Sequence, residues 1–429
     1  MSDIKPVKQA PVQGMTGLGG GPTSFLGVAS APTQNGQALF TGGRGAPSSI
    51  STATSNTGDV TGTISGGGSL IGSWTSTTGK SHYYNWVCPA GVTKVSVLCV
   101  GAGGGGGGSN IVHEEEYQEG EGYWSDDWFY YPGRGGNGGG LVYKNDIPVT
   151  PGTTYYVCPG YGGDGGTVDN TNGNSNNTGT HGENGGDSFF STGISGGSPT
   201  GSYIRAYGGH GGSNSGGAAG ALFHPSSWNV HPAARSGDSS GTGFSGATVQ
   251  SGGLGYNSAQ WSSGWGAWCG GGAAGYAGSG GNGAPPGSAS SSYDAYDATD
   301  GAGGGGSGGC YAGDNDAQNR QTAGGGGVGV HGQGSNGVAG SSESGSGVSF
   351  TAAQEGQGGS GGADSTHTGS NKTWQGHGGL YGGGGGGAGV DDAGQMNTTG
   401  GEGGPGAIKI IYSTEDGLRA WPSTNTTNM

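Results

Sequence analysis

The stretch KVSVLCVGAGGGGGGSN, residues 94–110, decides how this chain must fold. Its first seven residues alternate, with Val95, Val97 and Cys99 on one face, as a half-buried strand does. No turn residue follows. The strand runs into Gly101, Ala102 and then glycine from 103 to 108. Glycine loses more conformational entropy on ordering than any other residue, so this run needs a large return in backbone hydrogen bonding. An extended left-handed helix with three residues per turn offers one, because it bonds nothing internally and its N–H and C=O groups face outward. Where every residue that meets a neighbour is glycine, such helices pack side by side and bond laterally. The expectation is packed polyglycine II-type runs anchored on strands; the alternative is compact glycine loops.

The pairing of strand and glycine run recurs. YYVCPGYGGDGG (155–166) and YIRAYGGHGG (203–212) leave strands for glycine, and GGEGGPGAIKII (400–411) enters a strand from glycine. Strand signals fall at 82–100, 139–158, 187–207 and 406–412, and no segment has a 3.6-residue apolar period. The predicted class is all-β: a β-sandwich-like glycine-rich domain with polyglycine II-type runs, long loops and almost no helix. Residues 1–72 read as an extended N-terminal attachment arm, 73–413 as the glycine-rich β domain with its glycine layers at 160–405, and 414–429 as a C-terminal tail.

Composition narrows the function. The chain has 429 residues, of which 115 are glycine, and Leu, Ile, Val and Phe make up about an eighth. That is below the roughly 20% at which composition signals disorder, so any order rests on backbone bonding and a small core. With 13 Lys and Arg against 28 Asp and Glu, there is no basic stripe for nucleic acid or an anionic membrane. The N-terminus MSDIKPVKQAPVQ has no apolar h-region, so no secretory signal is expected. No apolar run is long enough for a membrane helix. Five cysteines in a long chain favour free thiols, with Cys88, Cys99 and Cys158 packing as small apolar residues.

The segment SNIVHEEEYQEGEGYWSDDWFYYPGRGG (109–136) interrupts the glycine pattern. It mixes carboxylates with Tyr117, Tyr123, Trp124, Trp128 and Tyr130, residue types that anchor interfaces and stack on sugar rings. Trp261, Trp265 and Trp268 form a second aromatic group. Two readings stand for both: a receptor contact, or packing against a neighbouring subunit or glycine layer. Glu114, Glu116, Asp126 and Asp127 offer oxygen ligands of the kind calcium takes, but without EF-hand spacing. The expectation is no metal, no cofactor and no enzyme. GGDS (185–188) superficially matches a hydrolase nucleophile motif, and GxGxxG matches are expected by chance at this glycine frequency.

Residues 86–108, WVCPAGVTKVSVLCVGAGGGGGG, with the later GGLVYKNDIPVTPGTTYYVCPGYGGDGG, ENGGDSFF and GGPGAIKIIY, resemble the glycine-rich domain of bacteriophage virion proteins. The resemblance covers about 74–412, departs at the 109–136 insertion, and extends to LRAWPSTNT at 418–426. It implies a virion structural protein assembled in the host cytoplasm. The first expectation is a tail-fibre or surface-fibre adhesin for host attachment. Other virion proteins would hold the N-terminal arm, and a host surface glycan or outer-membrane protein would meet the aromatics. The second is a capsid decoration or tail building block with a purely structural role. Fibres are often trimeric, so a homotrimer is the first arrangement to consider and a single tip monomer the other.

Overall fold

The structure is a computed structural model that describes residues 36–43, 69–76, 79–108, 110–118, 123–131, 133–167, 179–213, 234–255, 269–283, 298–309, 311–313, 320–339, 358–359, 366–368, 375–388, 399–414 and 420–423. Its strands are β1 (Gly36–Thr41), β2 (Ser69–Ser76), β3 (Gly79–Val87), β4 (Lys94–Val100), β5 (Asn110–Gln118), β6 (Tyr123–Tyr131), β7 (Leu141–Pro148), β8 (Thr154–Cys158), β9 (Ser188–Ser195) and β10 (Ser198–Ala206). Seven more follow: β11 (Gly237–Ser240), β12 (Thr248–Gln250), β13 (Tyr311–Gly313), β14 (Arg320–Thr322), β15 (Thr366–Thr368), β16 (Gln375–His377) and β17 (Ala407–Tyr412). Among the described residues there is no helix. The fold is all-β, as the alternating segments predict.

Two antiparallel sheets face each other. One has the order β1-β17-β4-β7-β12 and the other β11-β10-β9-β8-β3-β2. Alternation in β4 sends Val95, Val97 and Cys99 into the core between the sheets, with Ile408 and Ile410 from β17 and Trp86, Tyr155 and Phe190 from the facing sheet. Trp86 lies within about 6 Å of Tyr155, Phe190 and Tyr412, ring to ring. Cys88, Cys99, Cys158 and Cys269 are buried thiols outside any disulfide. Burial pushes the Cys88 thiol up to about 11 and Cys99 further, so both pack as apolar groups.

The first sheet is covered on its outer face too. Leu98, Val100, Ala407 and Ile411 meet Ala273, Tyr276, Val328 and Trp421 there. This explains why β4 and β17 are buried almost throughout. Lys409, 1% exposed on that outer face, approaches His331 Nδ1 to 2.7 Å.

Three boundaries differ from the sequence reading. β1 lies inside the 1–72 region and β2 runs across its end, and they belong to the two sheets. GQALFT pairs along its whole length with β17 and buries Phe40 on Tyr84. Trp421 lies in the 414–429 tail yet is 2% exposed. It stacks on Tyr276, and Asn145 binds both its N–H and its C=O at 2.8 Å. The glycine layers also begin before 160, with Gly42 and Gly43 bonded to Gly406 and Gly162 and a full run from Gly101, and extend to Gly406.

A candidate functional site at the far end of a glycine lattice

The run 101–108 continues β4 out of the sandwich, and its hydrogen bonds repeat every three residues. Gly101, Gly104 and Gly107 donate to Gly140, Asn137 and Arg134; Ala102, Gly105 and Gly108 donate to Gly186, Glu183 and Thr180; Gly103 and Gly106 donate to Gly404 and Gly401. These bonds measure 2.7–3.1 Å, and all three partner runs are antiparallel. Three parallel runs donate back: Gly209 and Gly212 to Ala102 and Gly105, Gly163 and Gly166 to Gly103 and Gly106, and Gly385 and Ala388 to Gly104 and Gly107. The central run thus has six neighbours and a threefold screw, the hexagonal packing of polyglycine II. At about 3.1 Å per residue it extends about 25 Å beyond the sheet.

A second run, 269–275, is surrounded in the same way, by 136–139, 252–253, 278–281, 306–309, 323–326 and 384. The need for glycine is direct: a Cβ at Gly103 or Gly106 would lie 1.9 Å from a carbonyl oxygen of the neighbouring run. Asparagine and aspartate side chains also act as missing neighbours, Asn137 in the buried interior. The Oδ1 atoms of Asn137, Asn184 and Asn282 accept from Gly255, Gly211 and Leu254 N–H.

A polar weld fixes the lattice to the sandwich. Ser188 Oγ accepts from Gly160 N–H and Asp187 Oδ1 from Gly208 N–H, which gives GGDS a packing role. Arg205 chelates Asp238, with its Nε and Nη2 at 2.9 and 2.7 Å. The Tyr207 ring lies under both the Arg205 and Arg235 guanidinium groups. Burial raises the Asp187 carboxyl to about 6, against the pull of Arg235 and Arg205. The weld was not apparent in the sequence, because its members come from four separated segments. The only local signal is Asp187 following GG at a strand start.

The lattice has polarity. β17 starts from Gly406 on the lattice side, so the pairing Gly36↔Tyr412 puts the start of β1 at the opposite end of the sandwich. Residues 1–35 therefore join the fold there. At the other end the runs stop together: Gly108 meets Thr180, Gly133 meets Ala388, Arg134 meets Ser213, Gly400 meets Gly166, Gly283 meets Leu254, and Gly309 meets Gly270. The runs that end here border residues 109, 132, 168–178, 214–233, 256–268, 284–297, 310 and 389–398, which lie outside the described residues.

The insertion forms the β5–β6 hairpin, joined to the lattice at this far end. It pairs in continuous antiparallel register from Asn110↔Tyr131 to Gln118↔Tyr123. Cross-strand partners include Tyr117↔Trp124, His113↔Trp128 and Ile111↔Tyr130, with Glu114↔Asp127 and Glu115↔Asp126 between them. Tyr117, Trp124, Trp128 and Tyr130 therefore occupy one alternating set of positions, and Tyr123 the other. Glu114, Glu116 and Asp127 share the second set, and Asp126 belongs to the first. Trp261, Trp265 and Trp268 lie outside the described residues, between run ends Gly255 and Cys269, which are also at this end. Among the described residues no group of three His, Cys, Asp or Glu side chains gathers as a metal site, and no helix is long and apolar enough to cross a membrane.

A β-sandwich prolonged by a hydrogen-bonded polyglycine II bundle, several of whose runs end together away from the sheets, defines a two-part glycine-rich scaffold. A family described as a glycine-rich domain matches residues 75–330. The chain belongs to that glycine-rich domain family. The match begins within β2 and ends before β17, the strand between β1 and β4 in the first sheet. No curated protein matches the chain.

Proposed function

We propose that this protein is a non-enzymatic bacteriophage virion component, a tail-fibre or surface-fibre adhesin that touches the host through the far end of its glycine lattice. The observation that carries the host-contact reading is polarity. Residues 1–35 join at the outer end of the sandwich, where an attachment arm to other virion proteins belongs. The aromatic and acidic hairpin joins at the opposite end, beside the ends of the other lattice runs. Loops held by a rigid scaffold are where binding residues concentrate, and a lattice whose two inner runs each have six lateral neighbours offers such a scaffold. The phage assignment itself rests on the resemblance of the strand motifs and their order.

The test is binding of fluorescently labelled full-length protein to candidate bacterial hosts, beside a variant lacking 110–131 with Gly108 and Gly133 bridged. Saturable binding by the full chain, lost in the deletion, is expected. Virions carrying the deletion should assemble normally. Loss of assembly without loss of cell binding would replace this reading with the structural one, in which the hairpin meets a neighbouring subunit in a tail or capsid.

A further inference from the structure

Building on the host-contact reading, we propose that the β5–β6 ribbon takes its partner by strand addition. An extended protein segment, basic at its centre and apolar toward its ends, pairs with a free edge of the ribbon. Four observations lead there. The ribbon is a two-stranded sheet, and among the described residues no third strand pairs with β5 or β6. A two-stranded ribbon is marginal in water, and a third strand gives it the stability it lacks.

Its register then puts acidic residues at directly opposed positions, Glu114↔Asp127 and Glu115↔Asp126. Like charges directly opposite destabilise a ribbon, and a cationic neighbour turns that repulsion into pairing. The charges also occupy both alternating sets of positions: Glu115 and Asp126 in one, Glu114, Glu116 and Asp127 in the other. A ligand lying flat on one face, such as a sugar chain, meets only one set. A strand at the edge alternates in the same way as the ribbon and meets both.

Aromatic positions bracket the acidic centre in both sets. Tyr117, Trp124, Trp128 and Tyr130 are in the first, and Tyr123, Phe129 and Tyr131 in the second. That asks for apolar residues on either side of the partner's basic centre. A second copy of this chain is a poor occupant. It carries the same acidic ribbon and a net charge of −15, and edge charges of one sign keep ribbons from pairing with themselves.

The experiment uses the full chain and peptides matched to β5 in length. One has a lysine centre and valine–threonine ends, one has glutamates in place of the lysines, and one is the lysine peptide with a central proline. The lysine peptide should bind, slow amide exchange in 110–118 or 123–131, and weaken with added salt. The glutamate and proline peptides should bind at least about tenfold more weakly. The variant Glu114→Gln, Glu115→Gln, Asp126→Asn, Asp127→Asn should lose about tenfold for the lysine peptide while its lattice glycines keep their exchange protection. Equal binding of the lysine and glutamate peptides would overturn the proposal. On host cells, protease treatment should abolish binding and periodate should not. Binding that survives protease but not periodate would overturn the proposal in favour of a glycan and leave the host-contact reading standing. Peptide binding with no host-cell binding would overturn that reading and leave the edge chemistry standing.

Discussion

Replacing Gly104 with alanine tests the packing of the central run. Its N–H donates to Asn137 in one run, its C=O accepts from Gly385 in a second, and its missing Cβ points into a third. An added Cβ would sit 2.1 Å from His210 O and 2.4 Å from the carbonyl carbon. Ordinary contact needs 3.4 Å or more, so the 207–213 run must retreat by roughly 1 Å or more. Both atoms are backbone, so no rotamer relieves the clash. The retreat strains Gly209 N→Ala102 O and Gly212 N→Gly105 O, the two bonds that tie these runs on either side of Gly104. Each orphaned buried group costs about 1–3 kcal/mol, so Gly104→Ala should destabilise by about 3–5 kcal/mol. Gly246 is the control: its φ is +74° and an added Cβ meets nothing within 4 Å. Gly246→Ala should cost only about 1 kcal/mol, through backbone strain. Urea unfolding of both variants, followed by tryptophan fluorescence, gives the comparison. A Gly104→Ala cost no larger than that of Gly246→Ala would refute the packed lattice at that run.

Further predictions concern the weld and the tail. Because burial raises the Asp187 carboxyl from 3.8 to about 6, the folded protein binds a proton more readily there than the unfolded chain. That contribution to stability grows as pH falls from about 6 toward 4 and is flat above about 7, with a span of the order of 1–3 kcal/mol. Asp187→Asn should remove this portion of the profile, seen as the difference between wild-type and variant unfolding midpoints across that pH window; parallel profiles would contradict it. Trp421→Ala should cost about 3–5 kcal/mol, the usual range for truncating a buried aromatic. Under about 1 kcal/mol in chemical unfolding would show that the tail does not complete the second core. Cys99 should resist a thiol reagent at pH 8 until the protein unfolds, because it is buried and its pKa is raised; rapid labelling of the native protein would show that the sandwich opens.

The strands legible in the sequence are those whose side chains alternate against a core. β4, β7, β8 and β17 carry Val, Ile, Tyr and Cys at the inward positions, so period and residue type agree. β11 (GDSS) and β12 (TVQ) carry no such pattern, because backbone pairing with β10 and β7 holds them in place. β1 was hidden in a Gly- and Ser-rich arm, since its partner β17 lies more than 360 residues later. The lattice was legible as an idea, because strands run straight into glycine. Its neighbours were not, because lateral partners such as Gly106 and Gly401 are set by topology and not by local sequence. The insertion at 109–136 stood out by composition alone. Its placement at the lattice's free end, and the opposed carboxylates within it, required the register.

The most direct test of the account is hydrogen exchange of the glycine amides at 103–108, read by NMR on protein labelled with 15N-glycine. Those N–H groups donate to antiparallel neighbours at 2.7–3.0 Å inside the lattice. They should therefore exchange only through global unfolding, with protection equal to that of the β4 amides. Exchange at the rate of an open loop would mean that the glycine runs do not form a lattice, and that the hairpin at its far end has no rigid platform.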